Sequence, residues 1–141
     1  MKQQAAFSSI GHWQSIQRVH NRYVKEVNDT LKQWELSRSQ FDMLYTLYQQ
    51  RSATQKSLEA TLELSSGSIS QTLKKLMQNR LLMRKRIDRE KRIILTPTGE
   101  TLVKESAPVI EVIDERYFKA FTPQDHQTFN QLLNKMQSNH F

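Results

Sequence analysis

Apolar residues recur along this chain in two rhythms. Between residues 7 and 34 they fall at Phe7, Ile10, Trp13, Ile16, then Tyr23 beside His20, and Val24, Val27 and Leu31. Steps of three and four place them on one stripe of a first helix of about six turns. So much aromatic surface needs a cover, and a helix from a second copy of the chain would supply one. Residues 37–50 repeat the pattern: Phe41, Leu44, Tyr45, Leu47 and Tyr48 make a broad buried face, with Ser37 or Ser39 as the N-cap. A short third helix opens at Thr54 and turns Leu58, Leu62 and Leu64 inward. Ser65 then caps a fourth helix. Ile69, Leu73, Leu76 and Met77 form its inner face, and Ser66, Gly67, Ser70, Gln71 and Lys74 its outer face. Two helices of this size joined by a turn at residues 63–66 read as a helix-turn-helix.

The rhythm then changes. Residues 82–87 and 92–95 are β-branched and basic, separated by the polar stretch Asp88-Arg89-Glu90-Lys91, which predicts a two-stranded hairpin. A lone ribbon is marginal, so it must lean on the domain through Leu82, Ile93 and Leu95. Thr96 and Pro97 open a long helix, its stripe running through Leu102, Val103, Val109, Ile110, Ile113, Tyr117 and Phe121. Pro108 should kink it or split it in two. Thr122, Pro123 and Asp125 open a last helix with Phe129, Leu132, Leu133 and Met136 on one face. The reading is a mainly α fold with a small β-hairpin wing.

Charge sharpens this picture more than composition does. The net charge is +7, and residues 65–104 alone hold 10 Lys/Arg against 3 Asp/Glu, while the rest of the chain holds 11 of each sign. The whole positive excess thus coincides with the fourth helix and the hairpin, and such a field suits a polyanion. There are no cysteines, which rules out disulfides, a thiol nucleophile and Cys-ligated zinc. No run of about 18 apolar residues spans a membrane, and the first residues lack a signal peptide's apolar core. A cytoplasmic protein without membrane contact is expected. His12, His20, His126 and His140 show no HxxxH or HxxH spacing, so neither a metal nor another cofactor is expected. No nucleophile elbow, phosphate loop, HExxH or paired-carboxylate arrangement points to an enzyme.

The element order resembles the MarR family of winged helix-turn-helix regulators, and three stretches carry the likeness. "LSRSQFDML" is similar to the family's L-T-x-x-Q-F-x-x-L. "TQKSLEATLELSSGSISQTLKKLMQNRLLMR" is similar to T-x-x-x-L-A-x-x-L-x-L-S-x-S-T-V-S-x-x-L-x-x-L-x-x-x-G-L-I-x-R, and "DREKRIILTPTGE" to D-x-R-x-x-x-x-x-L-T-x-x-G. There are departures. Arg80 stands where the family usually has glycine, and the spacing from Asp88 to Leu95 is one residue short. The resemblance implies a winged helix-turn-helix lobe at residues 36–96, with residues 1–34 and 97–141 as helical dimerisation regions. It further implies a homodimer on an inverted-repeat operator of double-stranded DNA, repression as the default, and a small-molecule effector that releases the DNA.

In that geometry the fourth helix enters the major groove. Ser66, Gly67, Ser68, Ser70 and Gln71 lie at its leading half, Lys74 and Lys75 further along, and Thr54 at the start of the helix before it. Gln71 is the best candidate for a base contact, because an amide bonds adenine bidentately; each serine is also a natural helix cap. Arg84, Lys85, Arg86, Arg89, Lys91 and Arg92 line the wing. One tip arginine, Arg89 or Arg92, would enter the minor groove, and Asp88 and Glu90 would pair with neighbouring arginines. The family's ligand pocket would map to Trp13, Ile16, His20, Met43, Leu47 and Tyr48, residues that equally suit a core. Against the regulator stand two other readings: a winged-helix protein-interaction adaptor, and a non-specific DNA-binding protein without ligand response.

Overall fold

The structure is a computed structural model that describes residues 8–138. The Phe7 and His140 assignments lie outside the described residues. Among those described are six α-helices and one antiparallel hairpin: α1 (Ser9–Leu31), α2 (Arg38–Gln50), α3 (Gln55–Leu62), α4 (Ser66–Gln78), β1 (Leu82–Ile87), β2 (Glu90–Leu95), α5 (Pro97–Arg116) and α6 (Pro123–Ser138). The mainly α reading with a β wing holds. None of the described helices is long and apolar enough to cross a membrane. The chain divides into two compact units, one ending at Ile110 and one starting at Glu111.

In the first unit the core closes around the second half of α1 and the helix-turn-helix. Val27 and Leu31 of α1 are buried, as are Phe41, Met43, Leu44 and Leu47 of α2. Met43 and Thr46 widen the expected α2 face, whereas Tyr45 and Tyr48 are half-buried at its edge. The first half of α1 behaves differently. Ile10 is 71% exposed and Trp13 60%, and Ile16 and Val19 are exposed as well. Its periodic stripe is real, but it is not covered within this unit.

The helix ends follow local chemistry. Ser8 caps α1 by accepting from the Gly11 amide at 3.1 Å. Ser37, not Ser39, caps α2: its hydroxyl accepts from the Gln40 amide while the Gln40 side chain accepts from the Ser37 amide, a reciprocal box that satisfies two orphan donors. After α4 the Arg80 amide donates to the Met77 carbonyl and the Leu81 amide to the Leu76 carbonyl, with Arg80 left-handed at φ 59°. That is a Schellman ending, normally a glycine position, and here an arginine holds it. Glu63 ends α3 in the left-handed region too, at φ 53°, but there its amide and that of Leu64 both donate to the Glu59 carbonyl. The turn carries Leu64 outward, contrary to the inward position expected for it; it is exposed.

The hairpin pairs Leu82 with Leu95 through to Ile87 with Glu90. Strand β2 therefore starts at Glu90, two residues earlier than expected, and the turn is Asp88-Arg89 alone, at φ 50° and 66°. Two successive positive φ values suit the right-handed twist of a two-residue loop. Leu82 and Ile93 are buried as expected, while Leu95 is half-buried. A single bridge joins β2 to the segment after α2: Ala53 and Ile93 exchange both backbone bonds, at 3.1 and 2.7 Å.

Helix α5 runs undivided through Pro108, so of the kink or split expected there the split does not occur. It is shorter than its stripe suggested. It stops at Arg116, and Val109 is exposed. Phe121 sits in the following turn, where its ring meets those of Phe118, His126 and Phe129 in the second unit. Thr122 caps α6 through reciprocal bonds with Asp125. On α6, Phe129, Leu132, Leu133 and Met136 line up at helical spacing but remain exposed.

Candidate nucleic-acid interface

The position of α4 follows from its inner face. Ile69, Leu73 and Leu76, spaced four and three apart, are buried, and this fixes which side turns out. Ser66, Gly67, Ser68, Ser70, Gln71, Lys74 and Lys75 are all exposed. The start of the helix is set by Ser65, whose hydroxyl accepts from the Ser68 amide at 3.2 Å. Gly67 has open space where a Cβ would stand, so nothing within the chain demands a glycine there.

The hydroxyls on this face are not all free. Ser70 Oγ accepts from the Gln55 side-chain amide at 2.7 Å, which leaves its own proton to donate outward. Gln55 carries no signal in the sequence that marks it for this face. It sits 15 positions from Ser70, and no short-range pattern marks the pair. Thr54 is placed by its role as a cap: its hydroxyl accepts from the Ser57 amide, and Ser57 returns a bond to the Thr54 amide.

On the wing, Arg84, Lys85, Arg86, Arg89 and Lys91 are exposed. The register sets Lys85 opposite Arg92 and Arg86 opposite Lys91. Like charges directly across an antiparallel pair are destabilising on their own, and an anion laid along the ribbon relieves them. Arg89 stands at the tip of the turn. Arg92 is held midway along the ribbon, on the rung it shares with Lys85: its Nε donates to Ser52 Oγ at 2.8 Å, one terminal nitrogen to the Ser52 carbonyl at 3.3 Å, and the other to Glu90 at 2.8 Å. The expected pairing of Glu90 with an arginine is present. Asp88 has no ion-pair partner among the described residues, and its contribution is a left-handed backbone that Asp tolerates well.

The six residues considered for a ligand pocket are not brought together as one lining. Met43 and Leu47 are fully enclosed in the core and present no surface to a ligand. Trp13, Ile16 and His20 are exposed along α1, and Tyr48 is half-buried on α2. His20 does border a shallow hollow on α1, with Val24, Asn28 and Lys32.

Comparison with known proteins agrees with this architecture. Residues 36–94 match the model of the MarR family. An HTH-type transcriptional regulator of Bacillus cereus is 26% identical over 115 residues, covering 82% of this chain and 78% of the relative. Among solved structures, a MarR-family transcriptional regulator from Silicibacter pomeroyi superposes with a TM-score of 0.78 at 25% identity, over 97% of this chain and 95% of that one. The S. aureus MepR–DNA complex gives a TM-score of 0.81 at 22% identity, over 94% and 96%.

Proposed function

Residues 36–94 belong to the MarR family of transcriptional regulators, and on that premise we propose that the chain is a sequence-specific repressor that binds an inverted-repeat operator as a homodimer. The observation that carries this reading is the two-sided character of the charged segment. The inner face of α4 is buried in the core while its outer face and the wing present hydroxyls, the Gln71 amide and a row of exposed cations, all within the 40 residues that hold the chain's positive excess. MepR, whose fold this chain shares, was solved on DNA.

In this reading α4 lies in the major groove. Gln71 bonds a base edge, Ser66, Ser68 and Ser70 meet phosphates or base acceptors, and Gly67 admits close approach of the backbone. Lys74, Lys75, Arg84, Lys85, Arg86 and Lys91 neutralise phosphates, and Arg89 enters the minor groove. Thr54 supports the face as a cap. The apolar strips of α1 (Ile10, Trp13, Ile16, Val19) and of α6 are covered by a second copy. A two-fold dimer reads an operator with matching two-fold symmetry. A small-molecule effector that enters beside the dimer contact, at the hollow bordered by His20, releases the DNA.

A gel shift on the upstream region of the protein's own gene, at two salt concentrations, tests the proposal. Expected is saturable nanomolar binding that survives competitor DNA and weakens steeply with salt. Binding lost equally to any competitor duplex would instead favour a non-specific DNA coater, and no binding an adaptor. Gln71→Ala should relax base preference at one position per half-site. A selected site logo identical to that of the unaltered protein would remove Gln71 from the readers.

A further inference from the structure

Of the basic residues in the charged segment, Arg92 is the one whose surroundings least resemble a DNA contact. Its side chain is 27% exposed. Three of its five N–H donors are directed at protein oxygens, two to Ser52 and one to Glu90. Glu90 also offsets its charge locally. By contrast, Lys74, Lys75, Arg84, Lys85, Arg86, Arg89 and Lys91 are exposed and have no ion-pair partner among the described residues.

The next residue in the chain adds a second tie. Ile93 exchanges both backbone bonds with Ala53, and its side chain is buried. Successive residues of β2 are thus joined to successive residues of the segment that follows α2. That segment is itself constrained: Arg51 ends α2 at φ 73°, a conformation that persists only where its surroundings hold it, and its amide is bonded to the Leu47 carbonyl at 2.8 Å.

We infer that Arg92 is a positioning residue of the wing, which sets where Arg89 arrives on DNA by clamping β2 to Ser52, and is not itself a DNA contact. The mechanics give this a scale. The three residues from Arg92 to Arg89 extend about 10 Å, so a tilt of about 10° at the clamp moves the tip by about 2 Å, well beyond the tolerance of a hydrogen bond. Without the clamp, the like-charged rungs Lys85–Arg92 and Arg86–Lys91 would favour a splayed, wandering ribbon. The Ser52–Arg92 bonds are charge-assisted and span 40 residues of chain. Together with the Ala53 bridge they convert a two-stranded ribbon into part of the α2 framework.

The inference rests on the DNA-binding reading, but half of its test needs no DNA. Four full-length variants are compared with the unaltered protein: Arg92→Lys, which keeps the charge but loses the planar fork; Ser52→Ala, a mild change that leaves every cation in place; their combination; and Arg89→Ala. Amide exchange at Ile93 and Ala53 is measured in the free protein, and affinity against salt on a 30-bp duplex that the unaltered protein has selected from a random pool. Expected is exchange at Ile93 about tenfold faster in Arg92→Lys, the loss of roughly one charge-assisted bond, and a smaller increase in Ser52→Ala. Both should bind DNA several-fold more weakly with the salt slope unchanged, and the double variant should be no worse than Arg92→Lys. Arg89→Ala should lower the slope by about one unit per chain. The inference is overturned if Arg92→Lys and Ser52→Ala leave Ile93 exchange unaltered, or if Ser52→Ala binds DNA as tightly as the unaltered protein. Failure of the pool to yield any preferred duplex would count against the proposed function, and the exchange data would still decide the clamp.

Discussion

Helix α2 and the first half of α1 carry the same kind of apolar stripe, yet they end in opposite places. Leu44 and Leu47 of α2 are completely enclosed, whereas Ile10 and Trp13 of α1 are largely open. Periodicity reports that a helix has a face to bury, not what buries it. For α2 the answer lies within its own unit, where the helix-turn-helix and the wing root close over it. For α1 the described chain covers Val27 and Leu31 and leaves the earlier positions bare. A contiguous exposed apolar strip of this kind marks an association surface, and this is the strongest support for the proposed dimer.

Substitutions on the two stripes should therefore act on different equilibria. Leu44→Ala removes a fully buried side chain and is expected to cost about 2–5 kcal/mol of folding stability, read from urea unfolding. Trp13→Ser should change the stability of dilute monomer by less than about 0.5 kcal/mol. It should weaken self-association by about tenfold or more, as loss of an aromatic anchor does, read by sedimentation across a concentration series. If Trp13→Ser unfolded dilute monomer as readily as Leu44→Ala does, α1 would be packed by its own chain and the contrast would fail.

A second substitution sharpens the closed side. Gly99, in the first turn of α5, is buried, and a Cβ there would run into the Leu81 carbonyl oxygen. That carbonyl also accepts from the Thr96 amide, so it is not free to move. Gly99→Ala is expected to destabilise by about 1–3 kcal/mol. Gly67→Ala, with open space around it, should be neutral or slightly stabilising in the free protein. Equal thermal midpoints for the two variants would mean that the wing root yields more easily than its bonding suggests.

Most of the architecture was legible because helices were signalled twice, by stripe and by cap. Ser37, Thr54, Ser65 and Thr122 all cap where a hydroxyl preceded a periodic run. The turns were less legible. The chain has three glycines, and none of those described adopts a positive φ; Glu35, Arg51, Glu63, Arg80, Asp88 and Arg89 do so instead. Without glycine or asparagine to mark it, the hairpin turn is two residues narrower than its polar stretch suggests, and Leu64 faces outward although its spacing suggests a core position. At the candidate interface, the exposed face of α4 followed from its period. The Gln55–Ser70 and Ser52–Arg92 bonds did not, because contacts 15 and 40 residues apart arise from tertiary placement.

Arg80 offers a small expected effect and the cleanest separation of backbone strain from packing. Its side chain is exposed, and its amide completes the Schellman ending of α4 by bonding the Met77 carbonyl, an interaction any residue can make. What matters at this position is the left-handed conformation, which costs an L-residue roughly 1–2 kcal/mol and glycine very little. Glycine's greater freedom in the unfolded chain returns part of that gain. Arg80→Gly is therefore expected to stabilise the fold by about 0.5–1 kcal/mol, raising the thermal midpoint by a few degrees. Arg80→Ala, which keeps the strain and removes only the charge and the exposed stem, should leave the midpoint nearly unchanged. If the two substitutions moved it equally, the gain would come from removing a cation from a crowded basic segment, and the left-handed turn would carry no strain.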